Sequence, residues 1–246
     1  MRATIFEFRF RFWIIAAIFF AAFYCYAFDH VNLGVALVRA LGGRGMNVED
    51  GSGRLALQGI FLLGTLVVAA AASIRTWAAA YLARDVIHDS RMHGDALVAD
   101  GPYRHVRNPL YIGTFLLAAG MGVMASRLGF VVLVAGIGLL VLRLIGREEA
   151  LLAEEQGASY EAFRAAVPRV IPALRPRLPA SGARPRWGEA LIGEGYMWCF
   201  VLSMLGFSLT FNMRIFDWLI ALSLVSYVIV NLWWKRLRPK RNQPDP

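Results

Sequence analysis

Two short polar clusters stand out because the chain around them is strongly apolar. One occupies residues 103–111 and is rich in tyrosine and arginine, and the other is the run Arg147, Glu148 and Glu149. Arginine donates and glutamate accepts charge-assisted hydrogen bonds, so the two clusters form a polar pocket if the fold brings them together. We expect the functional site at that meeting point.

A helical hairpin between the two clusters is expected to bring them together. Asn108 before Pro109 predicts a helix start, because asparagine caps free N–H groups and proline has the φ angle of a first helical turn. Apolar residues follow at 110–125 and at 128–145, separated by a short polar break. Each arm has about 17 to 20 residues, which at roughly 1.5 Å per residue suits a bilayer core of about 30 Å. The second arm therefore ends at the membrane face where the first begins.

Glycines recur every seven residues on both arms of this hairpin. Gly113 and Gly120 lie on the first arm, and Gly129 and Gly136 lie on the second. Small residues in such stripes let membrane helices approach closely. The alternative is that the glycines reflect only the general abundance of glycine in membrane helices.

The composition indicates an integral membrane protein. The 246 residues are 58% hydrophobic and 17% charged, with a mean hydropathy of +0.51, and the apolar runs are too long for a soluble core. The formal net charge is +9. Because the cationic residues flank apolar spans, they favour membrane lipids as partners and argue against nucleic acid.

The cysteines and histidines predict no metal site. Cys25 and Cys199 lie within apolar runs, where thiols act as small hydrophobes. The four histidines form no ligand spacing with cysteine or in an HExxH pattern.

The whole chain predicts an all-α polytopic membrane protein of about six transmembrane helices with a cytoplasmic-face cofactor pocket. Residues 12–28 are the first span, retained as an anchor because no small-residue cleavage site follows them. The glycine-rich residues 29–54 are predicted to form a loop. The second span, residues 55–74, is closed by an interfacial anchor set. This set consists of Arg75, Trp77 and Tyr81.

Three further segments lie outside the membrane. Residues 82–100 carry mixed charges and are predicted either to extend the second helix or to form a solvated linker. Residues 148–166 are typical of a polar-faced helix broken near Gly157. Residues 167–186 interleave proline with arginine, which excludes a helix and favours a path along an anionic membrane surface.

The distribution of arginine and lysine predicts the orientation. Residues 196–211 and 215–234 are the last two spans, so both termini lie on one side. That side also holds the two polar clusters and carries 19 basic residues, against five on the other. The positive-inside rule therefore places the termini and the pocket in the cytoplasm. The excess of arginine over lysine suggests a bacterial source, and hence the inner membrane.

A set of residues in and around the two clusters matches a known family pattern over residues 97–172. The matching residues are Leu97, Val98, Gly101, Pro102, Tyr103, Arg104, Arg107, Asn108, Pro109, Leu110, Tyr111, Ile112, Gly113, Glu148, Glu149, Tyr160 and the run 167–172. In order and spacing this set resembles the core of the isoprenylcysteine carboxyl methyltransferase and phospholipid methyltransferase superfamily. The usual motif is Arg-His-Pro-x-Tyr-x-Gly followed by Glu-Glu, and here Asn108 stands in place of the histidine.

The resemblance implies an integral membrane methyltransferase that uses S-adenosylmethionine and takes a lipophilic acceptor from the bilayer. The cofactor-binding residues that it implies are Leu97, Val98, Gly101, Pro102, Tyr103, Arg104, His105, Asn108, Pro109, Tyr111, Gly113, Glu148 and Glu149. The catalytic residues that it implies are Arg107, Tyr111 and Glu149. The chain then divides into a two-span region at 1–96, the methyltransferase core at 97–172, and a surface segment with two spans at 173–246.

The chemistry of the cofactor suggests a role for each polar group. Glu148 and Glu149 are expected to accept hydrogen bonds from its amino group or ribose. Arg104, Arg107 or the free N–H groups at the start of the first arm are expected to hold its carboxylate. The alternative is that Arg107 and Arg147 only pair with the two glutamates at the water interface.

Two tyrosines complete the expected pocket. The face of Tyr111 suits the sulfonium, and that of Tyr103 suits the adenine. Methyl transfer is an in-line displacement in which positioning supplies most of the help. A carboxylate acceptor needs no general base, whereas an amine acceptor must lose a proton, and neither His105 nor a glutamate is assigned that task.

Three other functions remain open at this point. One is an N-methyltransferase of phosphatidylethanolamine-type phospholipids. Another is a reductase that resembles the sterol reductases and uses NADPH, with Arg104 and Arg107 on the 2′-phosphate. The third is a membrane scaffold or lipid-binding protein without catalysis.

Overall fold

The computed structural model describes residues 1–42, 51–82 and 99–237, and over these ranges the chain is helical with no strand. This confirms the all-α prediction for the described residues. The helices are α1 (Ile5–Arg9), α2 (Arg11–Tyr24), α3 (Leu33–Gly42), α4 (Gly51–Tyr81), α5 (Pro109–Met121), α6 (Arg127–Gln156), α7 (Ala158–Ala166), α8 (Trp187–Gly193), α9 (Gly195–Thr210) and α10 (Met213–Leu237). Short 3₁₀ turns occupy Cys25–Ala27, Gly101–Arg104 and Gly122–Met124.

The described helices include three that are long and apolar enough to span a membrane. They are α4, α6 and the Met213–Val230 part of α10, and a fourth span results if α8 and α9, which meet at a bend of 58°, are counted as one. Residues 11–27 and 109–124 form shorter apolar helices. Large apolar side chains such as Leu66 and Val131 face outward from the long helices. The protein is therefore an integral membrane protein, with three or four of its six predicted spans meeting the length that a bilayer requires.

The predicted hairpin is present, with α5 and α6 as its arms. At the turn, which we call the far end, the Ser126 hydroxyl accepts from the backbone N–H of Gly129 at 3.0 Å and so caps α6. The first arm ends in carbonyls that lack helical partners. The Asn32 amide and the Tyr26 hydroxyl donate to the Met124 carbonyl, at 3.0 Å and 2.7 Å. The opposite end of the hairpin, around residues 100–109, is called the motif end below.

The prediction of a loop over residues 29–54 is wrong. Residues Leu33–Gly42 form α3, and α4 already begins at Gly51. Gly34 of α3 allows close packing, because a Cβ there would lie 3.0 Å from the Leu57 side chain of α4, whereas a Cβ on Gly51 would meet nothing within 4 Å. Residues 43–50 lie outside the described part of the chain.

The glycine stripes permit close helix packing, as predicted, but not between the two arms. Gly113 and Gly120 face α4, where a Cβ on Gly120 would lie 2.8 Å from the Gly64 carbonyl. Gly129 and Gly136 face α2, where a Cβ on Gly136 would lie 3.0 Å from the Ile18 side chain. Each arm of the hairpin therefore packs on a different neighbour.

Arg75 is not the interfacial anchor that the sequence suggested. Helix α4 runs past Ile74 to Tyr81, so Arg75 lies inside the bundle with its side chain 9% exposed. Its Nε and Nη2 donate to the fully buried Glu194 carboxylate at 2.7 Å and 3.0 Å. Its Nη1 donates to the Leu110 carbonyl and the Thr114 hydroxyl in the first turns of α5.

Gly113 makes room for this arginine. A Cβ at Gly113 would lie 3.0 Å from Cδ of Arg75 and closer still to its Cγ. The Arg75 side chain thus crosses α5 at Gly113. It connects α4 and α5 to Glu194, which lies at the bend between α8 and α9.

The segments after the hairpin follow the prediction. Helix α6 continues to Gln156, and Gly157, with a φ of 53°, breaks it before α7. Residues 167–186 contain no helix. The predicted helical extension or linker at 82–100 falls mostly on residues 83–98, which lie outside the described residues.

The buried Arg75–Glu194 pair generates a stability prediction. Arg75→Met leaves the Glu194 carboxylate buried without its partner, so we expect the free energy of unfolding in detergent micelles to fall by about 3–5 kcal/mol. Replacing both residues, with Arg75→Met and Glu194→Leu, removes the uncompensated charge and is expected to recover most of that loss. Denaturant unfolding monitored by circular dichroism measures both.

The matched control for this pair is Glu161→Gln. It removes the exposed Arg164–Glu161 pair, whose side chains are 52% and 54% exposed, and is expected to cost about 0–1 kcal/mol. An Arg75→Met variant no less stable than this control would show that the buried pair does not hold the bundle together.

Candidate functional site

The two polar clusters meet at the motif end, as predicted. The side-chain amide of Asn108 donates to Oε1 of Glu149 at 3.1 Å, and Nε of Arg107 donates to the same oxygen at 3.0 Å. Arg169 reaches the other oxygen, Oε2, at 2.9 Å. Three donors, two from the adjacent residues Arg107 and Asn108 and one from Arg169, therefore hold one carboxylate, which is 13% exposed.

Asn108 does not cap α5, so that prediction is wrong. Helix α5 does begin at Pro109, but the Asn108 side chain makes no capping hydrogen bond. Its amide instead donates to Glu149 and to the Arg169 carbonyl, the latter at 3.1 Å. The reason is that the largely buried Glu149 carboxylate and the Arg169 carbonyl both lie within reach of the amide and both need donors.

Arg107 connects three elements. Besides Glu149 on α6, its Nη1 donates to the carbonyls of Arg164 and Val167 at the end of α7, at 2.6 Å and 2.9 Å. Its backbone N–H donates to the Pro168 carbonyl at 3.0 Å. Arg107 thus satisfies carbonyls that α7 leaves free at its C-terminus, and fixes Glu149 with the same side chain.

Glu148 faces a different environment from Glu149. The Tyr111 hydroxyl donates to Oε1 of Glu148 at 2.7 Å. Tyr103 lies close to this pair, 7% exposed, and its hydroxyl has no hydrogen-bond partner among the described residues. Burial and the negative charge of Glu148 raise the pKa of Tyr103 well above its usual range. Its O–H therefore stays protonated and remains a free donor.

A cavity of about 490 Å³ opens beside Glu149 at the motif end. It is lined by Arg2, Arg107, Gly146, Glu149, Ala150, Ala153, Glu154, Arg164 and Arg169. Arg107 and Arg169 are paired with Glu149, and Arg164 is paired with Glu161. The cavity wall thus offers carboxylate oxygens and guanidinium groups side by side.

Of the residues predicted to form the site, Arg107 and Glu149 line this cavity. Asn108 does not line the cavity but donates to Glu149. Tyr103, Tyr111 and Glu148 do not line it either and form a separate cluster next to it, inside the bundle.

The other predicted residues serve the surrounding framework. Gly101, with a φ of 58°, packs against the Tyr81 ring, Pro102 and Pro109 are buried, and Gly113 packs against Arg75. Leu97 and Val98 lie outside the described residues.

Arg104 and His105 contact a proline- and arginine-rich segment, residues 168–186, that we call the strap. Nε of Arg104 donates to the Leu178 carbonyl at 2.7 Å, and Nδ1 of His105 lies 2.8 Å from the Ala173 carbonyl. Backbone hydrogen bonds join the same stretches, because Ala173 and Arg177 donate to the carbonyls of His105 and Arg104. The strap therefore lies directly against the motif residues.

Asp100 anchors the C-terminal part of the strap, around residues 181–183. Its carboxylate accepts from the backbone N–H groups of Ser181 and Ala183, at 2.9 Å and 2.8 Å, and from the Ser181 hydroxyl. Hydrogen bonds from Ser181 and Ala183 lower the pKa of Asp100. This anchor is therefore complete above the unfolded pKa of an aspartate and is lost only as the pH falls through the lowered value.

The N-terminal segment is a part of the site that the sequence did not predict. The backbone N–H of Ala3 donates to the Arg143 carbonyl at 2.8 Å, and the Ala3 carbonyl accepts from Nη1 of Arg147 at 3.1 Å. These bonds bring Arg2 to the cavity. Glu7 pairs with Arg143 at 2.8 Å. The hydrogen bond from Arg143, together with the one from the Thr4 backbone N–H, lowers the pKa of Glu7 to about 2. Thr4 and Glu7 have the spacing of a capping box. This sequence pattern could have indicated that an ordered helix begins at Ile5.

Comparison with known proteins agrees with this geometry. Residues 59–158 match the phospholipid methyltransferase family, and they include most of α4, all of α5 and α6, and the motif end between them. No curated protein and no solved structure matches the chain. This family consists of membrane methyltransferases with lipid-like substrates, which confirms the resemblance seen in the motif. Residues 59–158, about two fifths of the chain, therefore match the phospholipid methyltransferase family, which lies in the superfamily of membrane methyltransferases that also contains the isoprenylcysteine enzymes.

Proposed function

We propose that the protein is an S-adenosylmethionine-dependent methyltransferase that methylates a lipophilic acceptor from the bilayer at the motif end. The observation that carries the proposal is the Glu149 carboxylate, which three donors hold at the wall of a cavity of about 490 Å³. This carboxylate lies within the matched domain, at the point where the two arms of its hairpin meet.

The residues present fit the chemistry of the methyl donor. Its amino group and ribose hydroxyls need acceptors, and Glu149 supplies them on the cavity wall. Its carboxylate needs a cation, and Arg2 and Arg164 lie on the same wall. The Tyr103 hydroxyl is buried and has no hydrogen-bond partner in the described ranges, so it offers one more donor beside Glu148. When bound, S-adenosylmethionine supplies a methyl carbon that is activated by its sulfonium leaving group.

The residues of the chain then act mainly by positioning. Arg107, Asn108 and Arg169 hold the Glu149 side chain in one orientation. Binding of a ligand therefore costs little further conformational entropy at this side chain. Arg107 acts as a positioning residue, because its donors are directed to Glu149 and to the end of α7. Tyr111, fixed by Glu148, is proposed to face the sulfonium, and Tyr103 the adenine.

The acceptor is proposed to be an isoprenylcysteine-type carboxylate or a phospholipid amine of the phosphatidylethanolamine type. Incubating the protein with a membrane lipid extract and isotopically labelled S-adenosylmethionine, followed by mass spectrometry, separates the two. A labelled methyl ester identifies a carboxylate acceptor, and a labelled N-methyl headgroup identifies an amine.

The orientation is proposed from the charge distribution. The excess of basic residues predicted for the side of the motif end, 19 against five, supports a cytoplasmic location for that end and for both termini. We place the protein in a bacterial inner membrane, with the core at 97–172 between the regions 1–96 and 173–246.

Glu149→Gln tests the proposed donor site. The change preserves shape but replaces a charged acceptor with a neutral one, so we expect the affinity for S-adenosylmethionine to fall by about 1.5–3 kcal/mol, roughly 10- to 150-fold. Isothermal titration calorimetry of the purified protein in detergent measures this change. Glu155→Gln is the matched control, because Glu155 is exposed on the same helix and does not line the cavity.

A parallel titration with NADPH tests the reductase alternative. Heat from NADPH and not from S-adenosylmethionine would contradict the proposal in favour of a reductase. No heat from either would favour a scaffold.

Asn108→His tests the position at which the chain departs from the usual motif. A neutral imidazole keeps one N–H donor for Glu149, so we expect this variant to retain most of the donor affinity. Asn108→Asp places a second carboxylate against Glu149 and is expected to weaken binding at least tenfold, about 1.4 kcal/mol. Equal affinities of the two variants in the same titration would rule out a role for this donor.

A further inference from the structure

The strap, residues 168–186, presents an unusual surface at the motif end. It contains five arginines and no acidic residue. Arg169 is paired with Glu149, and Arg186 with Glu189. Arg175, Arg177 and Arg184 are exposed and make no ion pair within the described part of the chain.

Apolar side chains are exposed on the same segment. Leu174 is 100% exposed and Ile171 is 82% exposed. Exposed leucine and isoleucine next to unpaired arginines are unfavourable at a surface that faces only water. The combination suits the boundary of a bilayer, where apolar side chains enter the headgroup region and guanidinium groups meet lipid phosphates.

The ends of the strap place it at that boundary. Its last residue, Arg186, donates its backbone N–H to the Ala80 carbonyl, next to the end of the membrane-spanning α4. The following residue, Trp187, begins α8, the first part of the bent span, and is 47% exposed. Tryptophan is enriched at this level of a membrane. The strap thus begins beside the site and ends at the entrance to a span.

We propose that the strap is a docking surface for the anionic lipid headgroups of the bilayer that holds the protein. Arg175, Arg177 and Arg184 contact lipid phosphates, and Leu174 and Ile171 enter the headgroup region. The hydrogen bonds of the strap to His105, Arg104 and Asp100 then hold the motif end at the depth of the headgroups. This inference is independent of the proposed methyl transfer, since it concerns only the surface that the strap presents.

A fluorescent label on the strap tests the proposal. Cys25 and Cys199 are replaced by alanine, Leu174→Cys is labelled with an environment-sensitive nitrobenzoxadiazole dye, and the protein is placed in lipid nanodiscs. We expect the emission to move to shorter wavelength in discs of phosphatidylcholine and phosphatidylglycerol in equal parts, compared with phosphatidylcholine alone. High salt should reverse the shift, because the Debye length falls from about 10 Å at 0.1 M to about 3 Å at 1 M.

Two sets of substitutions identify the residues responsible. Replacing Arg175, Arg177 and Arg184 by glutamine is expected to abolish the lipid-dependent shift. The matched control replaces three arginines of the far end, Arg39, Arg54 and Arg214, by glutamine and should leave the shift unchanged. Circular dichroism confirms that both variants are folded.

Three results would overturn the proposal. The first is an emission that does not respond to phosphatidylglycerol, and the second is an equal response in the two triple variants. The third is a shift that follows the number of protein molecules per disc rather than lipid charge, which would mean that a second copy covers the strap. None of these measurements involves a methyl donor or acceptor, so a failure of the proposed activity leaves their interpretation intact.

Discussion

The need to pair charges inside a helix bundle governs this structure. A carboxylate or guanidinium removed from water loses several kcal/mol of solvation, which only a well-placed partner restores. Glu194 is fully buried against Arg75, and Glu149 is largely buried against Arg107 and Arg169. Each of these carboxylates lies where separate stretches of the chain meet. The positions of the helices at the motif end are therefore set by where these charges find partners.

The Arg75–Glu194 pair has a consequence for the part of the chain beyond the matched domain. Arg75 lies within residues 59–158 and Glu194 lies outside them. Because Arg75 also bonds to Leu110 and Thr114, the first turns of α5 are tied to the α8–α9 bend through one side chain. The C-terminal helices thus complete the buried polar network of the domain, and without Glu194 the domain would contain an uncompensated charge.

The sequence predicted those features that depend on local chemistry and failed where distant partners decide. The start of α5 at Pro109, the break at Gly157 and the absence of helix in 167–186 follow from the backbone restrictions of proline and the backbone freedom of glycine. The hairpin followed from the polar break between two apolar runs, although its first arm, with 13 residues in α5, is shorter than predicted. These predictions needed no knowledge of tertiary contacts.

Two of the wrong predictions, the helix cap at Asn108 and the interfacial anchor at Arg75, depend on partners that lie far away in the sequence. Asn108 has the right residue type for a cap, but Glu149 competes for its amide from a helix that lies far away in the sequence. Arg75 follows an apolar run, as interfacial arginines do, and only the position of Glu194 reveals that it is buried. The adjacent Glu148 and Glu149 add a final point, because neighbours on a helix lie about 100° apart. Glu148 therefore faces Tyr111 inside the bundle while Glu149 faces the cavity, and the paired acids of the motif serve two different environments rather than one.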